Sequence, residues 1–314
     1  MRFPDSPSFK AIACRNDIRI GAVGTIKFSK GVLLFLLPAL TLYALFFIYP
    51  FIQTTYFSFT DWNGFTPAAW IGIKNYKTIL ADIVFQESIG RIFIWAFLSI
   101  VFKVGTALVI AYVLRKNFKG MNFFRTTVFL PYVISSSAMC LMFTIMYDKE
   151  TGLVNMALRA LGLGSHTAYW LSNPETAFYA VIFIPIYQAV GYFFVILFAA
   201  IKDIPEDLFE AGKIDGTNSF TEFIYITLPG IWPTLVVCLV LAINGAFQNF
   251  DYIFIMTYGG PGHASEVPAT YMYKSIFAES LYGYGSATAM IIFVITLTVA
   301  TTVRKSLSSM FRTE

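Results

Sequence analysis

Six stretches of this chain are long and apolar enough to cross a lipid bilayer, and no other feature constrains the fold as strongly. They cover residues 32–52, 92–114, 126–147, 176–201, 228–250 and 284–303, and Lys103 is the one charged residue inside them. A bilayer core needs about 20 residues of helix. In hydrocarbon each backbone amide has to bond within its own segment, so the spans are expected to be helices. The long alternation that a β-barrel requires is absent. Composition agrees: 57% of residues are hydrophobic and 13% charged, against about a quarter charged in soluble domains. The fold class is therefore expected to be an all-α membrane protein with six transmembrane helices.

Charge predicts the orientation. Arg2, Lys10, Arg15, Arg19, Lys27 and Lys30 precede the first span. Arg115, Lys116, Lys119 and Arg125 follow the second, Lys202 and Lys213 the fourth, and Arg304, Lys305 and Arg312 the last. The opposite loops carry only Lys74, Lys77, Lys149, Arg159 and Lys274. The richer side is expected to be cytoplasmic, which puts both termini inside. The first apolar run is followed by no small-x-small cleavage site, so it is expected to remain as the first helix. Cys14, Cys140 and Cys238 form no C-x-x-C pair, and no metal-ligand spacing surrounds His166 or His263. Neither a disulfide framework, a metal site nor a catalytic constellation is expected.

The loop between the fourth and fifth spans reads KDIPEDLFEAGKIDGTNSFTEFIYITLPGIWP. Asp203 and Glu206 have the spacing of a capping box, and Pro205 suits a first turn. Glu206 and Asp207 complement the positive helix end. These signals predict a helix over about 204–214, ended by Asp215-Gly216. A second short helix is expected from about Thr217, with Phe220, Phe223 and Ile224 on one face. Leu228-Pro229 would then lead into the fifth span.

Glu210-Ala211-Gly212, Asp215-Gly216 and Ile226-Thr227-Leu228-Pro229 resemble the EAA loop of binding-protein-dependent ABC importer permeases. Met256-Thr257-Tyr258-Gly259-Gly260-Pro261, and Gly72-Ile73-Lys74-Asn75-Tyr76 after the first span, resemble the MalF-like branch of the carbohydrate-uptake type. Gly212 departs from the pattern, since many members carry a second Ala there. The resemblance implies a MetI-like permease fold, a five-helix core plus an N-terminal helix. It divides the chain into a cytoplasmic tail (1–30), a first helix and outer loop (31–88), a core (89–305) with a coupling loop at 203–227, and a second tail (306–314). It implies a multi-pass protein of the bacterial cell membrane. Its implied partners are a second homologous permease subunit, two ATPase subunits and an extracytoplasmic solute-binding protein.

ATP and Mg would be bound by those ATPases, with no cofactor in this chain and no enzymatic activity of its own. Indeed no G-x-x-x-x-G-K-[ST] occurs. Asp207, Glu210, Ala211, Gly212, Asp215 and Gly216 are the implied ATPase-coupling residues. The implied function is ATP-driven import of a sugar by alternating access. A secondary, ion-coupled transporter is the rival; it would predict inverted repeats and intramembrane carboxylates, and the sequence has neither.

Polar residues inside spans usually face an interior or a cavity. Gln188 and Tyr192 share a face of the fourth span, and Asn244 and Gln248 share one of the fifth, beside Asn249. These five are the candidate substrate pathway, and the resemblance puts Tyr192 and Asn249 on sugar-contact positions. Hydrogen bonding between helices is their alternative use. Lys103, in mid-span, can line the pathway, snorkel, or pair with a carboxylate of another subunit. Ser135, Ser136 and Ser137 are expected to aid packing or to bend the third span after Pro131.

Overall fold

The computed structural model describes residues 30–115 and 119–308, with side chains for 34–115 and 119–306. Most of the N-terminal tail, Lys116 and the end of the C-terminal tail lie outside the described residues. The chain divides into two compact units, Met1–Ile52 and Gln53–Glu314.

In the first unit the described residues are helical. Helix α1, Leu34–Phe57, begins here and runs five residues past the expected end. Pro38 is accommodated inside the helix and Ala44–Ile48 forms a wider π-type turn. Leu34, Phe35 and Phe46 are exposed, as suits a helix that is apolar all round and has lipid for solvent.

The second unit is a helical bundle whose core runs along its full length. A short helix α2, Lys74–Ala81, closes the loop after α1. Asn75 organises that loop: its amide donates to the Ser58 and Thr60 carbonyls at 3.1 and 2.8 Å, while the Tyr76 hydroxyl donates to Ser58 Oγ at 2.7 Å. The G-x-x-N-Y segment is thus a loop-closing device.

Helix α3 spans Ile83–Val113, nine residues longer at its start than expected from hydropathy. The extension is polar but well made. Asp82 caps it by accepting from Phe85 N at 3.1 Å, and Arg91 pairs with Glu87 one turn away at 2.7 Å.

The third span is not one helix. α4, Met121–Val133, and α5, Ser136–Met146, meet at 93°. Ile134 and Ser135 are extended, and Ser135 Oγ caps α5 by accepting from Ala138 N at 3.3 Å. The physical reason lies in the run Pro131–Ser137. Proline cannot donate into the preceding turn, and a serine hydroxyl offers the backbone an alternative to continuing the helix.

Past α6, Leu153–Ala160, comes α7, Ala177–Lys202. It is the most enclosed of the five single-helix spans, with 61% of its most apolar stretch buried. One core cluster gathers Trp95, Met139, Phe178, Ile182 and Phe247 around one half of α7, and a second gathers Ala107, Phe194, Leu197, Ile231 and Cys238 around the other.

Helices α8, Glu206–Ile214, and α9, Ser219–Glu222, follow; α9 continues through a π-type turn, Phe223–Thr227, and one further turn, Leu228–Gly230. The fifth span then starts at Trp232, not at Leu228. Ile231 leaves helical geometry and Pro233 sits in the first turn of α10, Trp232–Gln248. α10 stops at Asn249, and α11, Asp251–Met256, carries the span on.

Two helices complete the described residues. α12 is Pro268–Phe277 and α13 is Tyr282–Ser308. In the loop before α12, buried Glu266 pairs with Lys274 at 2.5 Å and with His263 at 3.0 Å, which pins the Thr257–Gly262 turn. Tyr271 donates to Asp82 at 2.9 Å and meets the Tyr284 hydroxyl at 2.7 Å. Burial, then the bonds to Tyr284 and Asp82, push the Tyr271 phenol far above its ordinary pKa, so it stays a donor.

Candidate functional site

Two places assemble the residues singled out from the sequence: a helical loop at one end of the bundle, and a cleft within it.

The loop begins where α7 ends. Asp203 N–H bonds the Ala199 carbonyl at 3.1 Å, so Asp203 closes α7 and does not cap α8. The expected capping box at Asp203 and Glu206 is therefore corrected: α7 extends far enough to use Asp203 itself, and Pro205 takes the cap position of α8 without a side-chain bond. Glu206 and Asp207 in the first turn of α8 and Lys213 in the last still match the helix dipole. The capping box lies one helix later. Asn218 Oδ1 accepts from Phe220 N and Thr221 N at 3.0 and 2.9 Å, and Thr221 Oγ1 accepts from Asn218 N at 2.9 Å. Between the helices Gly216 takes φ +80°, and its N–H bonds the Lys213 carbonyl at 3.1 Å. That left-handed turn is cheap for glycine.

α8 has two faces. Phe209 and Gly212, three residues apart, are buried. A Cβ on Gly212 would stand 2.8 Å from Ile226 Cδ1 and 3.0 Å from Thr217 Oγ1, so the glycine lets α8 lie close against the segment leading to α10. The other face presents Asp207, Glu210, Ala211 and Ile214, all exposed, with Ile214 87% accessible. Asp215 and Gly216 lie exposed at its end. An acidic and apolar stripe at i, i+3, i+4 and i+7 is a surface suited to a partner's groove.

Sequence reading missed the clamp behind this stripe. Arg115, just beyond α3, forms an ion pair with buried Glu222 of α9. The Arg115 guanidinium lies 4.6 Å over the Phe209 ring and 4.8 Å over the Tyr112 ring. The Tyr112 hydroxyl donates to the Ser219 carbonyl at 2.6 Å and to Glu222 Oε1 at 3.1 Å. One cation thus joins α3, α8 and α9. The available signal was Glu222, an acid next to Phe223 and two residues from Phe220, on a helix expected to carry those aromatics on one face.

The cleft holds about 280 Å³ between α3, α4, α7, α10 and α11. Of the expected pathway residues, Gln188, Tyr192, Asn249 and Lys103 all line it, together with Tyr132 and Tyr252. Tyr132 and Tyr192 stack, with centroids 4.9 Å apart and planes 21° from parallel. Lys103 sits in a π-type turn of α3, Ser99–Val104, and is 4% exposed.

Gln188 is engaged at both ends of its amide. Its Nε2 donates to the Ile134 carbonyl at 2.6 Å, and its Oε1 accepts from the Tyr252 hydroxyl at 2.6 Å. The Ile134 carbonyl belongs to the break between α4 and α5, where no intrahelical partner exists. Gln188 therefore satisfies the broken span and ties it to α7 and α11.

Asn244 and Gln248 are not brought to the cleft, which corrects their grouping with Asn249. They bond each other at 3.4 Å, and Gln248 lines a separate, mostly apolar groove with Phe250, Tyr273 and Phe293. Helical spacing gives the reason: Leu241, Gly245 and Asn249 are successive i, i+4 positions and face the cleft, whereas Asn244 and Gln248 are one residue out of that register, about 100° around the helix.

A family model described as "Binding-protein-dependent transport system inner membrane component" matches residues 103–307. The chain is 39% identical to the Bacillus subtilis protein described as "Probable ABC transporter permease protein YurN", over 85% of this chain and 92% of that one. It is 31% identical to "Multiple sugar-binding transport system permease protein MsmF" of Streptococcus mutans, over 83% and 89%. It is likewise 31% identical to "Trehalose/maltose transport system permease protein MalF" of Thermococcus litoralis, over 84% and 89%. Among solved structures, a bacterial ABC transporter involved in the import of the acidic polysaccharide alginate shares the fold at TM-score 0.79 and 24% identity, covering 90% of this chain and 96% of that one.

Proposed function

Because the chain belongs to the family of binding-protein-dependent transport system inner membrane components, we propose that it is the membrane-spanning half of an ATP-driven importer that carries a sugar, by preference an oligosaccharide, from an extracytoplasmic binding protein into the cytoplasm. The coarser part of this reading, a multi-pass permease subunit of a sugar ABC transporter, is shared with relatives named for sugar transport. A structural relative crystallised with a periplasmic protein carrying an alginate pentasaccharide supports a binding protein as partner. A second permease subunit and two ATPases, which hold the ATP and Mg, complete the assembly. The end of the bundle that carries α8 faces the cytoplasm, as do both termini.

The observation that carries the mechanism is the two-faced helix α8. Its outer stripe, with Glu210 at the centre, is the ATPase contact. Its inner face reaches the spans by two routes. Phe209, through Arg115, leads to α3, the helix that carries Lys103. Gly212, against Ile226, leads to α10, which ends at Asn249. When the ATPases close, a displacement of α8 moves α3 and α10 together, and these helices form two walls of the cleft. The cleft then opens to one side or the other. Within it, stacked tyrosines offer a face for a sugar ring, and the Asn249 amide offers hydrogen bonds to hydroxyls.

The test is Glu210→Arg in the assembled transporter. Insertion and subunit assembly are expected to persist while sugar uptake falls to background, because a cation replaces the acid at the contact. Uptake at the wild-type rate would refute the ATPase contact.

A further inference from the structure

The cleft contains a cation that the proposed sugar site leaves unexplained. Lys103 is buried, none of the other residues lining the cleft is acidic, and no carboxylate among the described residues pairs with it. An unpaired charge at this depth is expensive, and such residues mark pathways or ligand counter-ions. Lys103 stands ten residues from the end of α3 at Val113, about 15 Å at the helical rise and so about half-way through a core of roughly 30 Å. That depth, with the side chain directed into a cleft between helices, removes snorkelling to the headgroups as an account of it.

The neighbouring groups are unspent as well. Among the described residues, the Tyr132 and Tyr192 hydroxyls and the Asn249 amide have no hydrogen-bond partner, whereas Gln188 and Tyr252 are used up in holding the broken helices. The free groups are thus two stacked rings, hydroxyls, an amide and one ammonium.

We propose that the ammonium of Lys103 takes an anionic group of the cargo, so that the substrate class is an acidic sugar, a saccharide bearing a carboxylate, sulfonate or phosphate. The inference rests on the sugar-import reading and deepens it. The stacked tyrosines and Asn249 hold the ring and its hydroxyls, and Lys103 supplies a charge-assisted bond in a low-dielectric site, where it is stronger than a neutral one. The anion in turn neutralises the lysine during passage.

The experiment is uptake by the complete transporter in proteoliposomes, with the binding protein present, of two probes: maltotriose, which is neutral, and trigalacturonate, which carries carboxylates. The expected result is import of trigalacturonate by the wild type, a loss of about tenfold or more in kcat/KM for it in Lys103→Met, a much smaller change for maltotriose, and retention of acid transport in Lys103→Arg. Import of maltotriose alone, unaltered by Lys103→Met, overturns the acidic class while leaving sugar import standing. Equal loss of both probes in Lys103→Met and Lys103→Gln, with the subunits still assembled by gel filtration, assigns Lys103 to a carboxylate of the partner permease and also overturns the proposal. Import of neither probe by the wild type counts against the sugar reading itself, and against this inference with it.

Discussion

Gln188 shows how a single polar side chain can line a cleft and yet be structural. Its two hydrogen bonds join the carbonyl exposed at the α4–α5 break to the hydroxyl of Tyr252. A helix broken at membrane depth leaves a carbonyl that the rest of the fold has to satisfy. Gln188→Leu keeps the volume and removes both bonds, so it is expected to destabilise the subunit by about 1–3 kcal/mol, the cost of an orphaned buried acceptor. A thermal-melting series in detergent checks this, and an unchanged Tm would show that the break is held by other means. The amide was legible in the sequence as a costly intramembrane group, but its role was not. Which carbonyl it meets depends on a helix break 54 residues away. Asn249 is the contrasting case: it ends α10 in extended geometry, and its side chain is left free on the cleft face.

Elements matter most in the α8–α9 loop. Helix α8 is nine residues long, too short to hold its shape by propensity alone. Its stability comes from burying Phe209 and Gly212 and from the clamp at Arg115. Breaking the buried Arg115–Glu222 pair leaves one uncompensated charge, a loss of roughly 3–5 kcal/mol locally. Arg115→Met is therefore expected to loosen the loop and to lower the sugar moved per ATP hydrolysed, while the ATPases continue to turn over. The Arg115→Glu, Glu222→Arg exchange should recover part of the coupling. Simultaneous assay of uptake and phosphate release checks both, and an unaltered ratio in Arg115→Met would remove the clamp from the transmission route. The helix-turn-helix character of this loop was legible from Asp215-Gly216 and from the dipole-matched acids. The cap was misplaced because Asp203 and Asn218 are both competent caps locally, and only the length of α7 decides that Asp203 is already used.

At the scale of the whole molecule the membrane sets the terms. The proposed topology places residue 119 in the cytoplasm and residue 165 outside. In a variant lacking Cys14, Cys140 and Cys238, Ser165→Cys is expected to react with a membrane-impermeant maleimide in intact cells. Lys119→Cys should react only after permeabilisation, and the reverse pattern would invert the topology. The class of the spans, and five of the six as single helices, could be read directly, because hydropathy over about 20 residues reports the one solvent that forces a helix to close its own hydrogen bonds. The two-helix form of the loop around Glu210 could be read as well, since charge and turn signals are local. What only the tertiary structure decided is which polar groups face one another. Hydropathy averages over a window and carries no angular information, so it could neither show the 93° break in the third span nor separate Asn249 from Asn244 and Gln248. Those facts arise from helix phase and from contacts across α3, α4, α7, α10 and α11. The same packing leaves Lys103 as the one charged residue lining the cleft.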